Sequence, residues 1–409
     1  MAMSMPFQFY SINLFGLNWT IDRILLVSLL PNILLHFYST RIRESAYTYF
    51  ILIWLFLIIV NFLIFQATNG SDMFKKLPSY FLTVSVLLLS VTVMKKDLLR
   101  IFDKVLMGHI VVLLFFGFYS IYYLWILKEG SFKPPFMSEN NYLKWSQSGA
   151  HMIGLMSKKR LTFPFATSPF LSFTVGFLTL YGFFKLYIRE NRLWYIFVPS
   201  LFIILLGTFS KSGILAFVIS ISIVYFFQKN IKGYFNSKPL LVLIVIVFVA
   251  LPISIRAIGE ILDLQMLSRI IVFDTGNENS SFSSHLSIRI KIIKEISSSN
   301  FINMFFGYGI GGTQKYLGVS SGHMSFATVL YDLGLVGLFS FSFLWLYPII
   351  KIIKRSGVGK RPKEIFILSS SIFLVFCHMF YNATTFVFLW LYLGWCVNYV
   401  FESQKIKII

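Results

Sequence analysis

Residues 324–350 read "MSFATVLYDLGLVGLFSFSFLWLYPII" and contain one charged side chain, that of Asp332. About 20 consecutive apolar residues suffice for a helix to cross the hydrocarbon core of a bilayer. A run of this length and composition therefore predicts a membrane-spanning helix. The carboxylate inside it needs an explanation, because an intramembrane charge is costly and is usually functional or paired.

The remainder of the chain has the same apolar character. Its 409 residues are 57% hydrophobic and 13% charged, whereas soluble proteins carry about 25% charged residues. We expect an all-α polytopic membrane protein, a single membrane domain over residues 1–409 with 11 or 12 transmembrane helices. The apolar runs that predict spans are 19–38, 46–66, 78–95, 107–127, 166–188, 193–209, 212–228, 239–258, 324–350, 364–382 and 385–402. Residues 6–18 are too short to cross with certainty and suit an interfacial segment or a half-helix.

The net charge is +20, from 36 Lys and Arg against 16 Asp and Glu. We attribute most of it to basic cytoplasmic loops that set the membrane topology. The connection 351–363 carries six basic residues, which favours the cytoplasmic side. Alternation then leaves two long loops outside, 128–165 and 259–322, and both are basic. Basic residues at a membrane can also bind anionic head groups, so membrane lipids are expected partners and nucleic acid is not.

The second of these loops contains a helical pattern. In residues 283–297, "SSHLSIRIKIIKEIS", apolar residues stand at 286, 290 and 293, with 288, 292 and 296 widening the stripe. Ser283 and Ser284 can cap the start. We expect an amphipathic helix at the outer membrane face. His285 and Arg289 are four residues apart and share one side of it.

Two residues are the first candidates for chemistry. His323 follows a glycine-rich turn and opens the span at 324. An imidazole with a pKa near neutrality is suited to accept a proton from a hydroxyl, although an interfacial histidine can also simply bond to head groups. Arg289 offers a guanidinium fork that fits a phosphate or pyrophosphate, or it anchors the helix to head groups.

Three further residues have two readings each. Arg256 ends a predicted span at the same face, where it can snorkel or join an anion site. Lys211 lies in the tight hairpin "LLGTFSKSGILAF" (205–217), where small polar residues serve the turn or the cation meets a lipid-linked phosphate. Asp332 either orients a basic partner or forms a purely structural pairing.

Several chemistries have no motif in the sequence. It contains no DxD, HExxH, GxSxG or P-loop sequence, and no carboxylate cluster. Cys377 and Cys396 both lie inside apolar runs and are expected to be inert core residues. We therefore expect no cofactor and no metal, and a substrate that brings its own activated leaving group.

Four segments together resemble a known family. They are the hairpin "SKSG" (210–213), the loop segment "IRIKIIKEI" (288–296), the turn "FGYGIGGT" (306–313) and "GHMSFATVLYDLGLVGL" (322–338). In order and topology they are similar to the O-antigen polymerase (Wzy-type) and ligase (WaaL-type) superfamily of bacterial membrane proteins. The resemblance covers mainly residues 195–350.

The resemblance implies an architecture like that of C-type glycosyltransferases, with an active site at the periplasmic face of the inner membrane. The family's loop arginine matches Arg289 and its histidine matches His323. Its hairpin arginine falls at Lys211, which keeps the charge but loses the bidentate fork. Met324 stands where the family often has asparagine. His323 would then be the catalytic base, Arg289, Lys211 and Arg256 would bind pyrophosphate, and Asp332 and His285 would support them.

The function implied is that of a surface-polysaccharide polymerase, for O-antigen or capsule. It would transfer a glycan from undecaprenyl pyrophosphate to the non-reducing end of a lipid-linked repeat unit, without a metal. A chain-length regulator is a candidate partner. A ligase that transfers polymer to lipid A core remains an alternative, as does a flippase or other transporter. A transporter should carry polar residues deep in several spans, whereas those singled out here cluster at one face.

Overall fold

The structure is a computed structural model that describes most of the predicted helices. It describes residues 11–14, 17–20, 46–92, 96–122, 161, 165, 168–188, 191–208, 210–229, 281–318, 325–354, 362–384 and 386–405. The elements are β1 (Ser11–Leu14), β2 (Leu17–Thr20), α1 (Ala46–Thr92), α2 (Lys96–Ile121), α3 (Ser168–Tyr187), α4 (Trp194–Gly207), α5 (Lys211–Lys229), α6 (Ser281–Ser297), α7 (Phe301–Phe306), α8 (Gly312–Leu317), α9 (Ser325–Ile353), α10 (Pro362–Phe380) and α11 (Val387–Lys405).

The protein is mostly helical, as the sequence predicts. Among the described residues four helices are long and apolar enough to cross a membrane, namely Tyr47–Phe65, Asp103–Ile121, Ser168–Leu186 and Ser325–Ile353. Five shorter apolar helices coincide with further predicted spans: Ser79–Leu88, Trp194–Gly207, Lys211–Ile223, Glu364–Phe380 and Phe388–Val400. The predicted span 239–258 and nearly all of 19–38 lie outside the described residues, so the total number of spans stays a prediction.

The N-terminal segment contains a strand pair, so of the two alternatives considered for residues 6–18, an interfacial segment or a half-helix, the half-helix is not what the structure has. Strands β1 and β2 pair antiparallel in register, with Ser11 opposite Thr20 and Leu14 opposite Leu17. The two residues between the strands include Gly16, and a two-residue connection with glycine is a common hairpin signal. The other described elements are all helices, in agreement with the predicted helical class, and the second strand includes residues 19–20 of the predicted span 19–38.

Helix α1 is a single element of 47 residues where the sequence predicts two spans. The residues that join the two predicted spans include Gly70 and are followed directly by Pro78, and both residue types disfavour a regular helix interior. The first half packs on α9. The hydroxyl of Tyr47 donates to the carbonyl of Leu344 at 3.1 Å, and Asn61 Nδ2 donates to the carbonyl of Asp332 at 3.1 Å. As the residue number increases along the first half of α1, that of its partner on α9 decreases, so the two helices are antiparallel.

The second half of α1 packs on α11 instead. Leu82 contacts Leu391, and the carbonyl of Ser90 accepts a hydrogen bond from Asn398. Here the numbers rise together, so this half runs parallel to α11. The first half of α1 is thus antiparallel to α9, and the second half is parallel to α11. Helix α9 begins beside the α10–α11 connection and contacts α11 through Trp390. The two halves of α1 therefore run in opposite directions, like two antiparallel spans.

A cluster of aromatic rings joins α1, α9, α10 and α11. Phe341 lies at its centre, with ring centroids 5.5 Å from Trp54, 5.9 Å from Trp390 and 5.4 Å from His378. All four side chains are fully buried or nearly so. Edge-to-face and tilted ring contacts add to the packing energy, so this cluster fixes the four helices relative to one another.

One ion pair joins α2 to α3. Lys185 Nζ lies 3.0 Å from Asp103 Oδ2, and the hydroxyl of Tyr181 donates to Asp103 Oδ1 at 2.9 Å. The lysine side chain is 6% exposed and the aspartate 32%. A charge in such surroundings needs a partner, because its desolvation is otherwise uncompensated.

We expect Lys185→Met to lower the free energy of unfolding by about 1–3 kcal/mol, because it leaves the Asp103 carboxylate without its cation. Thermal denaturation of the full chain in detergent measures the change. Lys104→Met, at an exposed position on α2, is the matched control and should have little effect. The double variant Asp103→Asn with Lys185→Met should lose less than the sum of the single variants; strict additivity would contradict the pairing.

Candidate functional site

Helix α9 is broken at Gly334, and the glycine-rich turn that precedes it in sequence fills the break. Gly334 has φ 68° and ψ −166°, which no helical residue adopts. The amide of Tyr308 donates to the carbonyl of Tyr331 at 2.8 Å, and the amide of Gly309 donates to that of Asp332 at 3.1 Å. In an unbroken helix these carbonyls would bond to amides four residues later. The turn thus satisfies groups that the kink releases.

Glycine is required where the turn and the kink touch. Gly307 has φ 79° and its α-carbon lies against the peptide of Asp332, which a Cβ would meet at 2.5 Å. At Gly334 a Cβ would collide with the carbonyl of Phe305. Both positions combine a left-handed φ with backbone contact, so the two chain segments approach as closely as backbones can.

Asn61 of α1 fastens the same junction from the other side. Its Nδ2 donates to the carbonyls of Phe306 at 3.0 Å and Asp332 at 3.1 Å, and its Oδ1 accepts from the amide of Ile310 at 2.8 Å. The side chain is buried. One amide group therefore links α1, the glycine-rich turn and α9, a role that sequence reasoning missed. A polar residue within the apolar run 46–66 is the signal that could have found it.

Asp332 is fully buried, and its carboxylate serves the backbone. Its Oδ2 accepts from the amide of Gly311 at 3.2 Å and its Oδ1 from that of Thr313 at 3.0 Å. These amides belong to the first turn of α8, where helix N–H groups lack internal partners. Of the two roles the sequence left open, the hydrogen bonds support structural pairing. Lys76 of α1 is a nearby cation that also interacts electrostatically with this carboxylate.

The predicted amphipathic helix 283–297 is present as α6, and it is docked on α9. Ile292 and Ile296 are buried against Tyr331, which also stacks on Tyr308 with ring centroids 4.7 Å apart. The hydroxyl of Tyr331 donates to Glu295 Oε2 at 2.7 Å. An apolar contact and a hydrogen bond to a charged group therefore hold α6 to the segment that precedes the kink.

Arg289 lies half-buried on this docked helix. Its Nε is buried and has no hydrogen-bond partner among the described residues. Burial lowers the pKa of the guanidinium from its ordinary value, yet an arginine stays protonated in proteins. The result is a cation with an unused N–H, which is the arrangement that an anionic ligand would complete. His285 lies one helical turn earlier on α6, as predicted.

Lys211 belongs to a different set of helix contacts. It is the first residue of α5 and is exposed. The Oγ of Ser210 caps this helix by accepting from the amide of Gly213 at 3.4 Å, and Gly213 rests against Ser172 of α3. Helix α5 packs on α3, α4 and α10, whereas α6 packs on α7 and α9. The small polar residues of the hairpin thus serve the turn, one of the two roles considered.

His323 and Arg256 lie outside the described residues, as do most of loop 128–165 and residues 259–280. The structure does describe the start of α9, two residues after His323. There Ser325 Oγ lies 2.6 Å from His378 Nδ1 and accepts from the amide of Ala383 at 2.9 Å. Ser325 and His378 therefore clamp the beginning of α9 to the α10–α11 connection. A histidine inside the apolar run 364–382 was the available signal.

The described residues offer no cluster of three or more His, Cys, Asp or Glu side chains that could hold a metal ion. The cysteines Cys377 and Cys396 are free and buried, which confirms the prediction that they are core residues. Comparison with models of known protein families and with curated proteins returns no match for this chain.

We expect Gly334→Ala to lower the free energy of unfolding by at least about 2–3 kcal/mol, because it adds both backbone strain and a collision with Phe305. Two glycines provide matched controls. Gly318 has φ 66° but open space around it, so Gly318→Ala should cost about 1–2 kcal/mol.

Gly108 is helical with nothing within 4 Å of an added Cβ, so Gly108→Ala should be neutral or stabilising by up to about 1 kcal/mol. Thermal denaturation in detergent ranks the three variants. Equal melting of the Gly334 and Gly108 variants would mean that the kink is not tightly enclosed.

Proposed function

We propose that this protein is a polymerase of bacterial surface polysaccharide, acting at the periplasmic face of the inner membrane. The observation that carries the proposal is the unused Nε of Arg289 on a helix docked against α9, because α9 begins two residues after His323. Two elements that the family resemblance identifies, the arginine helix and the histidine-bearing span, thus belong to one packed unit.

The proposed reaction is a glycosyl transfer from undecaprenyl pyrophosphate. A hydroxyl at the non-reducing end of a lipid-linked repeat unit attacks the anomeric carbon of the donor glycan. His323 accepts the hydroxyl proton as general base. The bond between the anomeric carbon and the pyrophosphate oxygen breaks, and its electron pair leaves with the pyrophosphate. One glycosidic bond forms for each glycosyl–phosphate bond broken.

Arg289 stabilises the charge that develops on the leaving pyrophosphate. A guanidinium aimed at a departing phosphate oxygen acts like an oxyanion hole, and it is strongest where water is excluded. Lys211 and Arg256 are proposed as further cations of this site, with His285 beside Arg289. Asp332 then supports the site indirectly, since its bonds to Gly311 and Thr313 hold the turn beneath α6.

The proposed architecture is that of C-type glycosyltransferases, with 11 or 12 spans and the long loops 128–165 and 259–322 in the periplasm. The four long apolar helices and the basic connection 351–363 support it. The apolar helices would receive the polyprenyl chain. A chain-length regulator is proposed as a partner. A ligase would use the same chemistry with lipid A core as the acceptor.

A transporter is the second candidate, and one observation favours it. His109 is fully buried within a candidate span and lies 3.3 Å from the hydroxyl of Tyr392 through its Nδ1. Its Nε2 has no partner among the described residues. Asn398 and Lys185, which pairs with Asp103, are further buried polar groups in apolar helices, in addition to the residues that the sequence analysis placed at one face. Buried ionisable residues in spans are frequent in transporters.

We expect His323→Ala to abolish polymer formation, because loss of a general base costs about 10²–10⁴-fold in rate. The measurement is the ladder of surface and lipid-linked glycans from a deletion strain that carries the variant, at matched protein level in the membrane. Single repeat units on the final acceptor are the expected product. A full ladder would refute the role of the base.

The glycans of the deletion strain without any copy of the protein distinguish the three candidate functions. Single units on the final acceptor indicate a polymerase, and long polymer left on undecaprenyl pyrophosphate indicates a ligase. Repeat units trapped on the cytoplasmic side indicate a transporter. His109→Gln at matched protein level should leave the ladder intact for a polymerase and remove it for a transporter.

We expect Arg289→Gln to slow transfer by about 10²-fold, the effect of losing one charged donor to the leaving group. Arg289→Lys should retain part of the rate, because it keeps the charge and loses the fork. Transfer from a pyrophosphate-linked donor by the reconstituted protein measures both. Lys294→Gln, on the same helix, is the matched control and should keep the rate. Equal loss in Arg289→Gln and Lys294→Gln would point to general charge effects.

A further inference from the structure

Helix α6 has three faces, and only one of them packs on the residues that the structure describes. Ile288, Ile292 and Ile296 form the face that meets α9. At about 100° per residue, Ile290 and Ile293 lie roughly 100–160° around the helix from Ile292. They are 58% and 60% exposed. The apolar pattern read from sequence as one wide stripe is therefore two stripes, and the second is uncovered in the structure.

Basic residues border the uncovered stripe on both sides. Arg289 projects between it and the buried face, whereas Lys294 and Lys291 lie along its other edge and are exposed. Glu295 is the one acidic residue of α6. It accepts a hydrogen bond from Tyr331, and its carboxylate also lies 3.9 Å from Lys291 Nζ. An apolar stripe flanked by long basic side chains is the pattern of a helix that lies in a membrane interface.

The next helix continues the exposed apolar surface. Phe301 and Ile302 begin α7 after a short connection, and they are 71% and 57% exposed. The ring of Phe301 lies 4.5 Å from that of Phe305. Aromatic residues are enriched at the level of lipid head groups, whereas large exposed apolar groups in water mark an interaction surface.

Helix α6 docks on the part of α9 that precedes the kink. Its contact on α9 is Tyr331, six residues after Ser325, which is about 9 Å along the helix at 1.5 Å per residue. Helix α9 is long and apolar enough to span a membrane. The break at Gly334 folds residues 325–333 back against the remainder of α9, since the ring of Phe326 lies 5.3 Å from that of Phe341, and α6 packs on this short arm at Tyr331.

We propose that α6 and α7 form an interfacial surface that binds the anionic phospholipid leaflet. Ile290, Ile293, Phe301 and Ile302 enter the acyl-chain boundary. Lys291 and Lys294 contact the lipid phosphates. The surface rests on exposure and charge, so it stands whether or not the protein is a transferase.

The test uses the full chain reconstituted in vesicles that contain phosphatidylglycerol. Ile293→Cys and Lys294→Cys are each labelled with an environment-sensitive fluorophore, and lipids brominated on the acyl chains serve as quencher. The native cysteines are buried, so the unsubstituted protein gives the labelling background. Both positions are exposed, so neither substitution should prevent folding.

The expected result is a blue-shifted probe that bromine quenches at position 293, and a probe at 294 that is neither shifted nor quenched. A water-like, unquenched probe at 293 would overturn the proposal. So would a blue-shifted probe at 293 that bromine does not quench, since that result means a protein partner or a second copy of the chain covers the stripe. Equal quenching at 293 and 294 would overturn the orientation of the helix.

The charge component has its own arm. Quenching at position 293 should be stronger in vesicles with phosphatidylglycerol than in vesicles of zwitterionic lipid alone. Lys291→Gln with Lys294→Gln should remove that difference, because each basic residue near an anionic surface contributes to the attraction. Identical quenching in both lipids for the unneutralised helix would refute the preference for anionic lipid.

Discussion

Backbone groups in an apolar environment must all find hydrogen-bond partners, because each unsatisfied group costs several kcal/mol in lipid. Helix α9 departs from regular geometry at Gly334, within a segment apolar enough to span a membrane. The carbonyls of Tyr331 and Asp332 lose their helical partners there, and the amides of Tyr308 and Gly309 donate hydrogen bonds to them instead. The kink and the glycine-rich turn therefore depend on each other.

The position of the candidate site follows from this exchange. The turn can approach α9 only because Gly307 and Gly334 have no side chains, and Asn61 and Asp332 then bind its remaining amides. With the turn fixed, the short helices on either side are fixed as well. Helix α6 packs on Tyr331 of α9 and on partly buried apolar residues of α7, the turn and α8. Arg289 is half-buried as a result, since it borders that packed face.

The same constraint distinguishes binding roles from structural ones. Asp332 is the most conspicuous charge in the apolar sequence, yet its oxygens are bonded to backbone amides of Gly311 and Thr313. Arg289 looks ordinary in a basic loop, yet its Nε is buried without a partner among the described residues. A cation with a buried N–H that the described residues leave without a partner is a stronger sign of an anionic ligand than a carboxylate already bonded to backbone amides.

The sequence by itself determined the helical membrane class, the helices that coincide with its apolar runs, and the amphipathic helix from Ser281 to Ser297. These depend on run length and periodicity, which are properties of neighbouring residues. Tertiary structure alone decided which stripe of α6 is buried, how the halves of α1 divide between α9 and α11, and that Asn61 and His378 tie distant segments together. Asn61 and Asp332 are 271 residues apart in sequence, so no local pattern links them. An apolar pattern predicts that a helix face is buried, but it does not identify the residues that cover that face.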